Sequence, residues 1–344
     1  MKLLILIGLV LLIIAVHQLM RVIELSREFK KTKEWEITDS DNTFNGRAML
    51  LIGGFGLIGF FFWQVARWDD NSLPGAASVH GLKIDALWDY NMYLITVVFV
   101  VTNAVLFWFA YKYSGKKGVK ATFLAHDNRL EMAWTIAPAV VLAGIIIFGL
   151  KYWNEITDRS TDPNKVTIEL YAKQFDWSAR YAGKDKTLGL TDYRQIDGGN
   201  SVGMDTLDPK GYDDVIVKNE FHIPVNREIE FKMRSRDVIH SAYMPHFRAQ
   251  MNCVPGMITE FRFTPNKTTA EMRKDPYVIQ LMAGINEARA LKGEEAVEFD
   301  YILLCNKICG ASHFNMQMTI IVESEKDYNA WLAKQKAVKT LAAN

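Results

Sequence analysis

Hydrophobicity along the chain changes character near Trp153. Before that point four apolar runs stand out, at residues 3–20, 48–66, 91–111 and 132–150. Each is close to the ~20 residues that a helix needs to cross a bilayer. The first run follows Lys2 and ends in His17-Gln18-Leu19-Met20-Arg21 with no small-x-small cleavage site, so it reads as an uncleaved helix and not as a signal peptide. Beyond Trp153 the period shortens to two. Val166–Tyr171, Ile229–Met233 and Ile258–Phe263 alternate as half-buried strands do. Tyr301–Leu304 reads as a buried strand, and Met318–Val322 as another. Short strands separated by turn residues predict a β-sandwich or small barrel. The expected class is a membrane-anchored α + β protein.

The connections between the apolar runs differ in charge. The stretch 21–47 holds Arg21, Arg27, Lys30, Lys31, Lys33 and Arg47, and 112–131 holds Lys112, Lys116, Lys117, Lys120 and Arg129. The stretch 68–90 has Lys83 as its one base, with Asp69, Asp70, Asp85 and Asp89. Basic connections stay in the cytoplasm. The first and third are therefore inside, and the β-rich C-terminal part is outside. Residues 1–67 form two spans with a cytoplasmic connection, 68–154 a membrane hairpin, 155–325 an extracytoplasmic domain and 326–344 a helical tail. A net charge of +1 gives no reason to expect nucleic acid. Two stretches read as insertions in the β domain. Residues 184–214, rich in Gly and Asp, are expected to be irregular. Residues 266–298 contain a capping-box pattern, Thr268-x-x-Glu271. Pro276 then opens an amphipathic helix with Val278, Leu281, Met282, Ile285 and Leu291 on its apolar side and Gly293 beyond it.

Candidate chemistry concentrates in Cys305-Asn306-Lys307-Ile308-Cys309-Gly310-Ala311-Ser312-His313-Phe314-Asn315-Met316, spaced C-x3-C-x3-H-x2-M. Thiolate and thioether are soft ligands that suit copper, and imidazole suits copper or zinc. His240, in Asp237-Val238-Ile239-His240-Ser241, is placed to complete the set after a strand-like run. A Cys305–Cys309 disulfide and half of a zinc site are the competing readings, and neither accounts for His313 and Met316. Met318 and the third cysteine, Cys253, read as packing residues.

The joint pattern D-V-x-H-S, P, V-P-G and C-x3-C-G-x2-H-x2-M resembles subunit II of the haem-copper cytochrome c oxidases. Upstream, Gln174-Phe175-x-Trp177 and the E-x2-W-T-x2-P of Glu131, Trp134, Thr135 and Pro138 also match. The resemblance implies a cupredoxin-like Greek-key barrel behind transmembrane helices. It implies two copper ions bridged by Cys305 and Cys309, with His240, His313, Met316 and the Lys307 backbone carbonyl as further ligands. It also implies electron delivery by soluble or tethered cytochrome c, transfer to haem in subunit I where oxygen is reduced and protons are pumped, and assembly with subunits I and III in a bacterial inner membrane. Haem and further copper belong to subunit I. Phe175 and Trp177 are the implied points of electron arrival and Glu131 a proton-path residue, each beside a plainer role in packing or at a helix start. Ligand imidazoles must be neutral, so copper binding is expected to weaken in acid. Three departures stand out. Phe175 stands where some relatives carry a tryptophan thought to receive the electron, while Trp177 remains. Lys307 replaces the family's acid, and a lysine cannot ligate a hard cation, so the magnesium site of the family is in doubt here. The two N-terminal spans are extra. Rival readings are a quinol-oxidase subunit II, nitrous oxide reductase, and a metal-stapled structural subunit.

Overall fold

The computed structural model describes residues 2–29, 38–68 and 73–338. Lys30, Lys31, Lys33, Asp69 and Asp70, used above to assign topology, and residues 339–344 of the tail lie outside the described residues. The chain forms two compact units, one of Met1–Asp69 with Leu94–Asp127 and one of Asp70–Tyr93 with Asn128–Asn344.

The first unit is helical. α1 (Lys2–Phe29) contains the first predicted span. α2 (Asp39–Ala48), a π-helical segment (Met49–Gly56) and α3 (Leu57–Trp68) continue as one helix that contains the second. This helix starts earlier than predicted, because Thr38 and Asp41 form a capping box at its start. The π segment has a packing reason. A Cβ on Gly53 would overlap the Phe107 ring, and one on Gly54 would lie 3.3 Å from Phe107 Cβ. Widened backbone without side chains leaves the notch into which Phe107 fits. Phe61 adds a ring contact to Phe99 at 4.8 Å. α4 (Val79–Lys112), of which the part from Leu94 belongs to this unit, and α5 (Asn128–Thr157), which belongs to the second unit, contain the third and fourth predicted spans. Three helices among the described residues are long and apolar enough to cross a membrane: Asp39–Trp68, Val79–Lys112 and Asn128–Thr157.

The second unit carries the β domain. Its strands are β1 (Val166–Lys173), β2 (Asp176–Tyr181), β3 (Val215–Lys218), β4 (Glu220–Pro224), β5 (Ile229–Ser235), β6 (His240–Met244), β7 (Ala249–Cys253), β8 (Thr259–Phe263), β9 (Tyr301–Cys305) and β10 (Gln317–Glu323). They form two five-stranded sheets, ordered β3-β2-β1-β5-β8 and β4-β10-β9-β6-β7. The β1–β5 and β4–β10 pairs are parallel, which gives the mixed sheets of the expected cupredoxin-like fold. Trp177, Tyr181, Phe221, Phe231 and Tyr301 fill the space between them. Periodicity located β1, β5, β8, β9 and β10, whereas β6 and β7 lie in the motif-rich stretch that shows little alternation.

β1 differs from the half-buried strand predicted, because it is covered on both faces. The 184–214 insertion lies over its outer side. Glu169 on that side is ion-paired to Arg180 at 2.7 Å and to Arg234, and Arg180 reaches Asp214 at 3.0 Å. Asp214 also accepts the Gly189 N–H at 3.0 Å, which ties the insertion down. Such buried charges are tolerated only as a paired set; removing one partner costs about 3–5 kcal/mol. In the second insertion, Thr268 and Glu271 form the predicted capping box at α6 (Thr269–Met272), and α7 (Pro276–Ala290) follows. The apolar side of α7 is narrower than predicted. Val278 is buried and Met282 packs on the core, but Leu281, Ile285 and Leu291 are exposed. α8 (Glu325–Leu332) stacks Trp331 on His222 at 4.1 Å, and beyond it Val338 N–H donates to Asp214 O at 2.9 Å.

His246 provides a test of this packing. Its ring lies edge-on to Phe299 and Tyr301, and neither nitrogen has a hydrogen-bond partner. Burial, helped by Arg248 and opposed by Asp275, pushes the imidazole down to about 4. An unfolded chain would bind the proton first, near the ordinary value of 6.5. The contribution is therefore intact above pH ~6.5 and is lost as pH falls towards 4, by up to about 3 kcal/mol. Thermal unfolding in detergent between pH 7 and 4 should show this loss, and His246→Phe should flatten the slope. An unchanged slope in the variant would contradict the assignment.

Candidate metal centre

The site is assembled by strand register. Ala242 of β6 pairs with Cys305 of β9, and His240 lies two residues before Ala242 on the same face. This brings His240 Nδ1 to 3.7 Å from Cys305 Sγ. The other ring nitrogen, Nε2, lies 2.8 Å from Asp237 Oδ1. With that nitrogen donating its proton to the carboxylate, the Nδ1 lone pair faces the thiol. Burial alone would raise the Asp237 carboxyl. The Gln174 N–H, the His240 ring and the Val238 N–H outweigh it and hold the group below its ordinary value.

After β9 the chain folds back on itself. The Cys305 N–H donates to Met316 O at 3.0 Å, and Asn306 N–H to Ser241 O at 2.9 Å. A short turn at His313–Asn315 then closes the loop. Cys309 Sγ consequently lies 3.9 Å from Cys305 Sγ, 3.6 Å from His313 Nδ1 and 3.8 Å from Met316 Sδ. The Lys307 carbonyl lies 3.2 Å from Cys305 Sγ, while the lysine residue itself is exposed. His240, Cys305, Cys309 and Met316 are all buried. Burial and the neighbouring Cys305 push the Cys309 thiol up to about 11.

This donor set fits the copper that the family implies. The donor atoms of His240, Cys305 and Cys309 all lie within 4.8 Å of one another. Both cysteines are free, and sulfurs 3.9 Å apart are unbonded yet can both reach an ion at about 2.3 Å. A structural zinc site is closed by four nitrogen or sulfur ligands. The thioether and carbonyl that adjoin this pair go beyond that set, and a thioether suits copper. Cys253 is wholly buried; burial pushes its thiol up to about 12, in keeping with a packing role. Met318 is likewise in the core.

The remaining predicted residues are more scattered. Trp177 is fully buried, with its ring edge-on to His240 at 6.3 Å and its Nε1 3.5 Å from Met316 O. An external protein cannot touch it directly. Phe175 is half-buried and packs against Gly310 of the ligand loop. Glu131 lies in the first turn of α5, where the helix dipole favours an acid. Three supporting residues were given no role by sequence reasoning. Asp237, three positions before His240, orients the imidazole. Gln174 donates its backbone N–H to Asp237 at 2.8 Å and its side-chain amide to Cys309 O at 2.5 Å, tying both ligand loops to the β1–β2 turn. Gly310 has φ 140°, and a Cβ there would meet Phe175 Cζ at 2.8 Å. The Asp-x-x-His spacing was the one visible signal for Asp237.

Gly310→Ala should therefore destabilise the domain by roughly 1–3 kcal/mol and lower its metal occupancy, through backbone strain and the clash with Phe175. Adding Phe175→Leu should recover part of both losses. Unfolding curves and metal content of the single and double variants test this, and a silent Gly310→Ala would rule it out.

Comparison with known proteins bears on the family of the chain. The family described as cytochrome C oxidase subunit II, transmembrane domain, matches residues 66–152, and its periplasmic-domain counterpart matches residues 166–271. The second match ends before Cys305, within the insertion that precedes it. The chain is 32% identical to the alternative cytochrome c oxidase subunit 2 of Bradyrhizobium diazoefficiens, over 74% of this chain and 83% of that one. It is 23% identical to cytochrome c oxidase subunit 2 of Cereibacter sphaeroides, over 76% and 78% of the two chains. Among solved structures, the periplasmic domain of subunit II of cytochrome oxidase from Bradyrhizobium japonicum matches at 21% identity with a TM-score of 0.32, over 53% of this chain and 99% of that one. The chain belongs to the cytochrome c oxidase subunit II family and is a membrane-anchored subunit of a haem-copper terminal oxidase with an extracytoplasmic copper-type domain.

Proposed function

We propose that this chain is the electron-accepting subunit of a proton-pumping cytochrome c oxidase. It takes electrons from soluble or tethered cytochrome c and passes them to haem in subunit I, in a bacterial inner-membrane complex that also contains subunit III. The observation that carries the proposal is the convergence of two thiols, two imidazoles, a thioether and a carbonyl at one end of the barrel. Cys305, Cys309, His240, His313, Met316 and the Lys307 carbonyl would together hold the copper pair. Bound there, the copper pair supplies a one-electron acceptor whose charge is spread over both ions.

The protein's part is rigidity. Asp237 fixes the His240 ring, Gln174 holds the backbone of Cys309, and the β6–β9 pairing fixes the separation of the two loops. Ligands held in this way move little when the charge at the site changes, which favours fast transfer. Lys307 brings a cation to the place where family members carry an acid, so no magnesium site is proposed on this side chain.

Two experiments test the proposal. Metal analysis and electron-spin spectroscopy of the purified complex should find two coppers in this subunit and one unpaired electron shared between them. Cys305→Ser or Cys309→Ser should abolish that spectrum. A single copper, or a Cys305–Cys309 disulfide in the active complex, would refute the assignment. For topology, reporters fused after Trp153 should be exported, while those at Lys33 and Lys116 stay in the cytoplasm. An exported reporter at Lys33 would break the four-span arrangement.

A further inference from the structure

The barrel meets the first turns of α4 through the Arg248 side chain and a group of bonds around the helix start. Arg248 follows the short turn Pro245–Phe247 with φ 53° and ψ 31°, in the left-handed region. A residue with a side chain pays roughly 1–2 kcal/mol there. Such strain persists only where the surroundings over-determine it. Here they do. Arg248 Nε donates to Asp85 Oδ1 at 2.7 Å and Nη2 to Asp85 Oδ2 at 2.9 Å. Nη2 also donates to Pro74 O at 2.6 Å, and Nη1 to Pro245 O at 2.8 Å. Asp85 lies on α4, before its predicted span, and Pro74 on the segment leading into the helix.

The surrounding residues make room for this contact. A Cβ on Gly81 would lie 3.2 Å from Arg248 Cγ, so a glycine in the first turn of α4 lets the arginine stem pass close to the helix. Ser78 caps α4 by accepting the Gly81 N–H at 3.0 Å, and its hydroxyl donates to Phe247 O at 2.8 Å. Ala77 N–H donates to His246 O at 2.6 Å, and Val79 N–H to Thr264 O at 3.0 Å. These bonds, with Asn266 N–H to Ala77 O at 3.0 Å and the His80 ring against Phe261, attach the helix start. A two-pronged guanidinium–carboxylate pair is planar and resists rotation. Lysine offers a point charge and cannot substitute for that fork.

We propose that Arg248 is a positioning residue that fixes the first turns of α4 against the extracytoplasmic barrel, and in this way helps to place the metal end for the acceptor in subunit I. The joint stands on the geometry alone. Its kinetic consequence rests on the electron-accepting role proposed above.

The test uses the whole complex. Arg248→Gly removes the fork and also relieves the backbone strain, so the barrel should remain folded. Hydrogen exchange read by mass spectrometry should rise about tenfold at the Ala77 and Val79 amides, while the Cys305–Met316 loop keeps its protection. Copper content and spectrum should be unchanged. Electron transfer from this subunit to haem, triggered by a light flash, should slow about tenfold, as small misplacements do in other enzymes. Asp85→Asn should act in the same direction. The exchanged pair Asp85→Arg with Arg248→Asp should recover part of both losses, since aspartate tolerates the left-handed region but cannot donate to Pro74 O and Pro245 O. Unchanged exchange in Arg248→Gly would overturn the joint. Raised exchange with unchanged electron transfer would overturn its positioning role. If the parent complex shows no copper signal, the function proposed above falls, while the exchange measurements still decide the joint.

Discussion

The pairing of Ala242 with Cys305 across β6 and β9 is the contact on which the site depends. Side chains alternate along a strand, so a slip of one residue would turn His240 to the opposite face and remove it from the thiols. The register is held from both sides. β6 pairs with β7 from His240↔Cys253 to Met244↔Ala249, and β9 pairs with β10 from Leu304↔Gln317 to Tyr301↔Ile320. The faces that fix it are apolar and fully buried, with Ala242, Met244, Leu303 and Met318 between the sheets. Ordinary core packing thus sets the relation between two ligand loops that are far apart in the chain.

Buried donors bring a second requirement. Each imidazole must present one nitrogen to the cluster and satisfy the other, and each loop must be held without filling the site. Asp237 meets the first need for His240, and its own charge is stabilised by backbone N–H groups. Gln174 meets the second, because it binds Asp237 and Cys309 O at once. The same reasoning applies at the outer face of β1. There the Glu169, Arg180, Arg234 and Asp214 set is stable only because each charge has its partner.

Much of this was legible in the sequence, and the divide has physical causes. Apolar runs of bilayer length and ligand types at short spacing are local signals, so the spans and the C-x3-C-x3-H-x2-M donors could be read directly. Features that depend on a distant partner could not. In the π segment Gly53 and Gly54 leave room for Phe107, and nothing near them in the sequence reveals that ring. β1 was read as half-buried because its alternation is local, whereas the cover over Glu169 comes from the 184–214 insertion. For Trp177 the sequence left packing and electron arrival open, and its complete burial depends on strands distant in the chain. Arg248 in a left-handed conformation carries no sequence signal, since glycine or asparagine is the residue expected there.

The two kinds of spacing in the site obey different rules. From Cys305 to Met316 the donors share one tight loop, and adding a residue would move a sulfur or a nitrogen out of reach. From His240 to Cys305 the chain runs through β7, β8, α6 and α7, yet the donor atoms meet at 3.7 Å. That detour is closed by sheet pairing and not by the ligands. The second insertion is also tied to the barrel along its path: Tyr301 Oη donates to Lys267 O, Thr269 Oγ1 receives the Val322 N–H, and Arg273 Nε bonds Phe299 O. Doubling a flexible loop costs only about 0.6 kcal/mol in closure entropy. Length inserted between His240 and Cys305 is therefore nearly free of consequence for the metal geometry, while the spacing inside the Cys305–Met316 loop is fixed by covalent reach.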